Sequence, residues 1–207
     1  DVEALLAKWA ACADEQSRPT GRPVFMIDAT PGLRSAAIVA CMWRTDGHPH
    51  IEVVAHEPGS TWVAARAAGL QRHRPLDWII DPGGPAGALL PDLRLAGIDP
   101  REMSARDMGQ ACVAFVAAAD DEFLRHLNDP VLVRSIRGAG KRDLGDGLWA
   151  WSRVKSDSDI CPLVGATGAF WGLSVSPPPM PPAPPPRVEG GIHGAASETD
   201  TLATAGF

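Results

Sequence analysis

No stretch of this chain approaches the ~20 consecutive apolar residues that a bilayer-spanning helix needs, and no basic segment followed by an apolar run opens it. Membrane insertion and secretion are therefore not expected. Cysteine is sparse: Cys12, Cys41, Cys112 and Cys161 are scattered, and none makes the CxxC or CxxH spacing of a tetrahedral zinc motif. They read as reduced core thiols of a cytosolic protein. Positive charge is also short, with 19 Lys and Arg against 25 Asp and Glu and a net charge of -6. Such a chain has no bulk field to recruit nucleic acid, so any contact with it must be local or supplied by a partner. A phosphate-cradling GxxxxGK[ST] loop is missing too. Its nearest approach, Gly140-Lys141-Arg142, has no hydroxyl residue after the lysine and carries Ser135 where the first glycine belongs. No serine sits in a GxSxG elbow, and no cysteine has an evident histidine partner, which leaves covalent hydrolase chemistry without support.

What is present is ordinary globular material. The 207 residues are 45% apolar and 21% charged, enough for one sizeable core. Glycine (21) and proline (20) are frequent, but eight prolines crowd between Pro177 and Pro186, so folded structure is expected to end near Ser174. The expected organisation is an N-terminal helix and linker over residues 1–21, a folded domain over 22–174 and a Pro/Gly-rich tail over 175–207. The tail is either a polyproline tether that binds a partner or a disordered spacer.

Hydrophobic periodicity supplies the elements. Asp1 to Asp14 repeats as a helix; Val24 to Ile27 is a continuous apolar run, the pattern of a strand buried on both faces, and it ends in Asp28. Ser35 to Trp43 and Ile51 to His56 complete an antiparallel meander. Ser60 to His73 reads as a helix. Trp78 to Ile80 is a short strand running into Asp81, Ala86 to Leu95 a short helix, and Gly97-Ile98 a short parallel strand. Ala105 to Leu127 is helical with a break around Asp120, and Asp129 to Ile136 adds one or two more turns. Lys141 to Val154 is a hairpin around Asp146-Gly147. A last helix follows Asp159, with Leu163, Ala166, Thr167, Phe170 and Trp171 on one face and Pro162 tolerated in its first turn. This order permits a mixed α/β sheet with helices on both faces.

Three aspartates stand out: Asp28 and Asp81 at strand ends and Asp159 at a helix start. Open α/β sheets gather chemistry beyond the carboxyl ends of their strands, so the first two can be neighbours. Clustered carboxylates repel unless a cation neutralises them, and an all-oxygen set suits Mg²⁺ or Mn²⁺. Each also has a structural reading: an Asx turn at Asp28, a helix cap at Asp81, an N-cap at Asp159.

The segments Phe25-Met26-Ile27-Asp28, Ser35 to Ile38, Ile80-Asp81 with Gly84-Pro85-Ala86, Gly145 to Trp151, and Asp159 to Thr167 with Phe170-Trp171-Gly172 resemble, in that order, the nuclease domain of tailed-phage terminase large subunits. The similarity spans about Arg22 to Leu173. It implies an RNase H-like fold and a two-metal endonuclease that cuts concatemeric viral DNA during packaging, with two Mg²⁺ or Mn²⁺ ions as cofactor. By position it makes Asp28 the bridging ligand, Asp81 the second acidic ligand and Asp159 the ligand on the final helix. Asp157 is either an auxiliary ligand or a solvated neighbour. The implied partners are double-stranded DNA, a packaging ATPase domain, the small terminase subunit and the portal, with no membrane, in the cytoplasm of a bacterial host. Because no P-loop is present, the chain is expected to be an isolated nuclease domain.

Basic residues cluster near the hairpin: Arg134, Arg137, Lys141, Arg142, Arg153 and Lys155. They either hold phosphates without reading bases or form a solvated face with ion pairs to Asp143 and Asp146. Trp149 and Trp151 are expected to pack rather than stack on bases. His48 and His50 flank a proline and read as a surface turn, while nothing in sequence places His56 or His126. Two rival functions are a non-catalytic packaging module of the same fold and an actin-like ATPase or sugar kinase, which would need glycine-rich phosphate loops and a second, duplicated domain.

Overall fold

The computed structural model describes residues 2–176. Its centre is a six-stranded mixed sheet built from β1 (Val24–Ala29), β2 (Ser35–Trp43), β3 (Pro49–Pro58), β4 (Asp77–Ile80), β5 (Arg101–Glu102) and β6 (Arg125–His126). The spatial order is β5-β4-β1-β2-β3-β6. Strands β1, β2 and β3 form the antiparallel meander; β4 runs parallel to β1, β5 parallel to β4, and β6 parallel to β3. A separate hairpin pairs β7 (Gly140–Gly145) with β8 (Leu148–Ser152). The helices are α1 (Val2–Ala11), α2 (Val63–Leu70), α3 (Leu90–Leu95), α4 (Ala105–Asp120), α5 (Pro130–Arg137) and α6 (Cys161–Val175).

Alternation along β1 sorts the sheet into two faces. Phe25 and Ile27 point toward α2 and α3, where they pack with Val63, Ala67 and Leu93. Val24 and Met26 point to the opposite face, where α1, α4, α5 and α6 bury the larger core. Helix α1 lays Leu5 and Trp9 into that core; the Trp9 ring stacks on His126 at 3.8 Å between centroids. All four cysteines are free and buried.

Helix α6 lies close against the sheet because its contact stripe is glycine. A Cβ on Gly165 would meet Val39 Cγ2 at 2.7 Å, one on Gly168 would meet Met26 Sδ at 2.8 Å, and one on Gly172 would meet Ile79 Cγ1 at 2.6 Å. Those contacts run from the carboxyl end of β1 back toward its start, so α6 is antiparallel to β1 and its N-terminus sits at the Asp28 end. The other side of α6 packs under α4 and the hairpin, where Trp151 Nε1 donates to Thr167 Oγ1 at 2.9 Å. The single apolar face expected for α6 is therefore replaced by burial on nearly all sides, as befits a helix sandwiched between two layers.

Four other local expectations differ. The strand expected at Gly97-Ile98 is found at Arg101–Glu102, and Ile98 is instead a buried loop anchor. The segment Ala86 to Leu95 begins as a 3-10 helix, Pro85–Leu89, before α3. The helix from Ala105 stops at Asp120, where a break is expected, but it does not resume toward Leu127, and Arg125–His126 form the two-residue strand β6. His50 is not a surface residue: Pro49 opens β3, and His50 is fully buried with Nδ1 2.7 Å from Ser17 Oγ. The proline-rich segment from Pro177 onward lies outside the described residues. Among the described residues no helix is long and apolar enough to cross a membrane.

Candidate functional site

Strand register assembles the site. The parallel pairing that sets Ile27 beside Ile80 ends one residue short of Asp28 and Asp81, and leaves them near enough for the Asp81 charge to act on the Asp28 carboxyl. Across the next two strands a row continues from Asp28 through Ala37, opposite it, to His56, opposite Ala37. His56 reaches this face through an irregularity. Ile38 pairs with Ala55 and Val39 with Val53, so Val54 is skipped and side-chain alternation inverts beyond it. The N-terminus of α6 arrives over the row and adds the positive end of its dipole.

Asp159 stands just before that helix. Its Oδ1 accepts the Cys161 N–H at 2.9 Å, a capping role. Its Oδ2 lies 2.9 Å from His56 Nε2 and also accepts the Ser35 hydroxyl. Burial works to raise its pKa, but the hydrogen bonds from His56, Cys161 and Ser35 prevail and hold the carboxyl far below the usual range.

Asp28 is the opposite case. It is fully buried, Arg153 Nη2 donates to its Oδ1 at 2.5 Å, and its Oδ2 has no hydrogen-bond partner. Burial pushes its pKa up to about 7, against the pull of Arg153 and with the Asp81 charge adding to the rise. Asp81 closes the turn after β4: its Oδ1 accepts the Gly83 N–H at 3.0 Å and its carbonyl the Gly84 N–H at 3.1 Å. Its side chain makes no cap bond to the following 3-10 helix.

A cleft of about 390 Å³ opens beside these groups, bordered by Thr30, Ser35, Arg153, Asp157, Asp159 and Cys161. Asp157 is exposed at its rim, with its own N–H bonded to the Gly138 carbonyl at 2.9 Å. Among the described residues, one group of His, Cys, Asp or Glu brings ligand atoms within 4.8 Å of one another: His56, Asp159 and Cys161. Asp28, Asp81 and Asp159 are thus not drawn into one such compact triple, although Asp28 and Asp159 both lie near enough to the Cys161 thiol to perturb it. Sequence reading did not include His56, Ser35 or Cys161 in the site. Arg153, which the sequence leaves between a phosphate contact and a solvated, ion-paired face, is here the counter-ion of Asp28. His126 lies elsewhere, in the core under α1.

Of the other basic residues, Arg134, Arg137, Lys141, Arg142 and Lys155 are exposed. Lys141 Nζ sits 4.0 Å over the Trp149 ring, and among the described residues neither Lys141 nor Arg142 pairs with Asp143 or Asp146.

A six-stranded mixed sheet with an antiparallel meander and parallel strands beyond β1, flanked by helices, is the RNase H-like arrangement. No protein-family model matches the chain, and no curated protein matches it. Among solved structures it is similar to the HK97 bacteriophage large terminase, with a TM-score of 0.68 at 14% identity over 81% of this chain and 42% of that one. It is also similar to the large terminase nuclease from thermophilic phage G20c with bound magnesium, with a TM-score of 0.57 at 14% identity over 80% of this chain and 95% of that one. A third similar structure is a mutant nuclease domain of the large terminase subunit of bacterial virus Sf6, with manganese and beta-thujaplicinol. There the TM-score is 0.56 at 12% identity, covering 84% of this chain and 98% of that one. This chain spans 42% of the HK97 protein's length and nearly all of the other two. At these identities the likeness is one of fold: the chain has the RNase H-like fold of phage large-terminase nuclease domains.

Proposed function

We propose that this chain is a divalent-metal-dependent endodeoxyribonuclease, the nuclease domain of a terminase large subunit, cutting concatemeric viral DNA during genome packaging. The observation that carries the reading is Asp28: a fully buried carboxylate with one unpartnered oxygen, within reach of the Asp81 charge and under the helix that Asp159 heads. Such an oxygen costs stability unless something completes it. Carboxylate oxygens are the donors that Mg²⁺ and Mn²⁺ prefer, so the residues fit the group.

In this reading Asp28, Asp81 and Asp159 hold the ions, with Asp157 as an auxiliary ligand at the cleft rim. Two such ions supply an activated water and charge stabilisation for the leaving oxygen of a phosphodiester. Arg153 keeps Asp28 compensated, and Ser35 and the Cys161 N–H orient the Asp159 carboxylate. Arg137, Lys141, Arg142, Lys155 and neighbouring Arg134 offer a local positive strip along α5 and the hairpin for the duplex backbone, which suits a chain whose net charge is negative. The ATPase domain, the small terminase subunit and the portal are the proposed partners, and the host cytoplasm the proposed compartment.

Purified protein is expected to nick or linearise plasmid with Mn²⁺ or Mg²⁺ but not with EDTA. Asp28→Ala and Asp81→Ala are expected to lower the rate by more than about a hundredfold, a loss beyond that of disturbing a ligand's support. Full cleavage by either folded variant refutes the mechanism. The net charge of -6 favours a second reading, a non-catalytic packaging module of the same fold. A folded protein that never cuts DNA, with or without an ATPase partner, would support it.

A further inference from the structure

The cluster of His56, Asp159 and Cys161 has a donor set unlike that of Asp28 and Asp81: one imidazole nitrogen, one carboxylate oxygen and one sulfur. These three atoms lie within 4.8 Å of one another. Ligand atoms about 2.0–2.3 Å from a tetrahedral ion stand roughly 3.3–3.7 Å apart, so small side-chain rotations close the set around one ion. His56 Nε2 and Asp159 Oδ2 are already at 2.9 Å.

We propose that His56, Asp159 and Cys161 form a binding site for a borderline-soft dication of the Zn²⁺ or Co²⁺ type, with a fourth position left for water. Three protein ligands of mixed N, O and S character select such ions over Mg²⁺ and Ca²⁺, which want oxygen alone. The support around the cluster is in place. Ser35 Oγ and the Cys161 N–H both donate to Asp159 and fix its orientation, as outer partners of metal ligands do. His56 is turned toward the cluster by the skipped residue Val54, and Cys161 by its position at the first turn of α6. The cleft bordered by Ser35, Asp159 and Cys161 provides the way in.

Binding takes the neutral His56 tautomer whose proton sits on Nδ1, so that the Nε2 lone pair faces the ion, and it releases one proton to solvent, that of the Cys161 thiol, since a coordinated thiol is deprotonated by the metal's charge. The site shares Asp159 with the proposed nuclease centre but needs no nuclease activity to exist.

The test is Co²⁺ titration of the full, EDTA-treated chain, read by the near-ultraviolet thiolate-to-cobalt charge-transfer band. Zn²⁺ affinity comes from competition with a chromophoric chelator. The expected result is one band saturating at one equivalent, lost in Cys161→Ser, with Zn²⁺ bound more than about tenfold more weakly by Cys161→Ser and by His56→Gln. No band, or a band that persists in Cys161→Ser and so belongs to another thiol, overturns the assignment. Should the variants not fold by circular dichroism, X-ray absorption of the Zn²⁺-loaded wild type decides: one sulfur at about 2.3 Å supports the site, and none refutes it. Plasmid cleavage in Mn²⁺ is scored separately. Cleavage without the band rejects this site alone, and the band without cleavage rejects the nuclease alone.

Discussion

Replacing Asp28 by Asn should make the metal-free protein more stable at neutral and alkaline pH, although it removes the residue on which the proposed chemistry most depends. Asp28 titrates near 7 in the fold because burial outweighs Arg153, whereas an aspartate in the unfolded chain titrates near 3.9. Between those values the native state holds a proton that the unfolded state has lost. Stability contributed by the protonated group is thus full below about pH 4 and is lost as pH rises through about 7, a penalty of about 4 kcal/mol. Asparagine is neutral at every pH and escapes it, but leaves Arg153 without its carboxylate, so the net gain is about 2–4 kcal/mol at pH 8 and near zero at pH 4. For a domain of this size that is about 4–16 °C in Tm. Urea or thermal unfolding of both proteins at pH 4, 6 and 8 in EDTA measures it. A destabilised Asp28→Asn protein at pH 8, or a difference that does not grow with pH, refutes the reasoning. Saturating Mn²⁺ should then narrow or reverse the gap, because only the wild type gains the ligand's binding energy.

His126 provides the opposite slope. Burial lowers its pKa to about 4, and its two ring nitrogens are committed as in a neutral ring: Nε2 donates to the Trp9 carbonyl at 2.8 Å and Nδ1 accepts the Asn128 N–H at 3.0 Å. Here the unfolded state binds the extra proton, so about 3 kcal/mol of stability present above pH 6.5 is lost as pH falls through about 4. His126→Phe should be less stable at pH 7.5 yet lose less between pH 6.5 and 4.5, and an unchanged acid slope in urea melts would contradict this. Gly172→Ala should cost about 1–3 kcal/mol, since its Cβ would press on Ile79 and Val24 at 2.6–2.7 Å. Gly69→Ala, with nothing within 4 Å on the exposed side of α2, should gain roughly 0.5–1 kcal/mol, and chemical denaturation that fails to separate the two signs would refute the packing account of α6.

The strands that carry Asp28 and Asp81 were legible because central strands buried on both faces print as continuous apolar runs, and a charge ending such a run is conspicuous. The neighbours of those aspartates were not. His56 follows Ile51, Val53 and Ala55, an alternation that points it away from the site; only the skipped Val54 reverses it, and a bulge has no signature in that alternation. Arg153 is 125 residues from Asp28 along the chain, so a basic residue near a hairpin gave no hint of its partner. Cys161 lacks a second cysteine or histidine at motif spacing because its companions come from another strand and from the preceding turn. Strands β5 and β6 are two residues each, too short to show a side-chain alternation.

The state of the Asp28 and Arg153 pair separates a structural ion pair from a site awaiting completion. A buried pair kept for stability is expected to satisfy its atoms, because each orphaned polar atom in a low-dielectric interior costs about 1–3 kcal/mol. Here Asp28 Oδ2 and Arg153 Nε are both without partners, and Asp81 adds a like charge alongside. Apolar residues of similar volume would fill the same space at lower cost, and the surrounding core, with α6 seated on glycines, is packed closely enough to carry the penalty. The expense is therefore concentrated where a cation would relieve it. That is why the stability of Asp28→Asn and its response to Mn²⁺ must be measured together: the first shows that the cost exists, and the second whether an ion is what removes it.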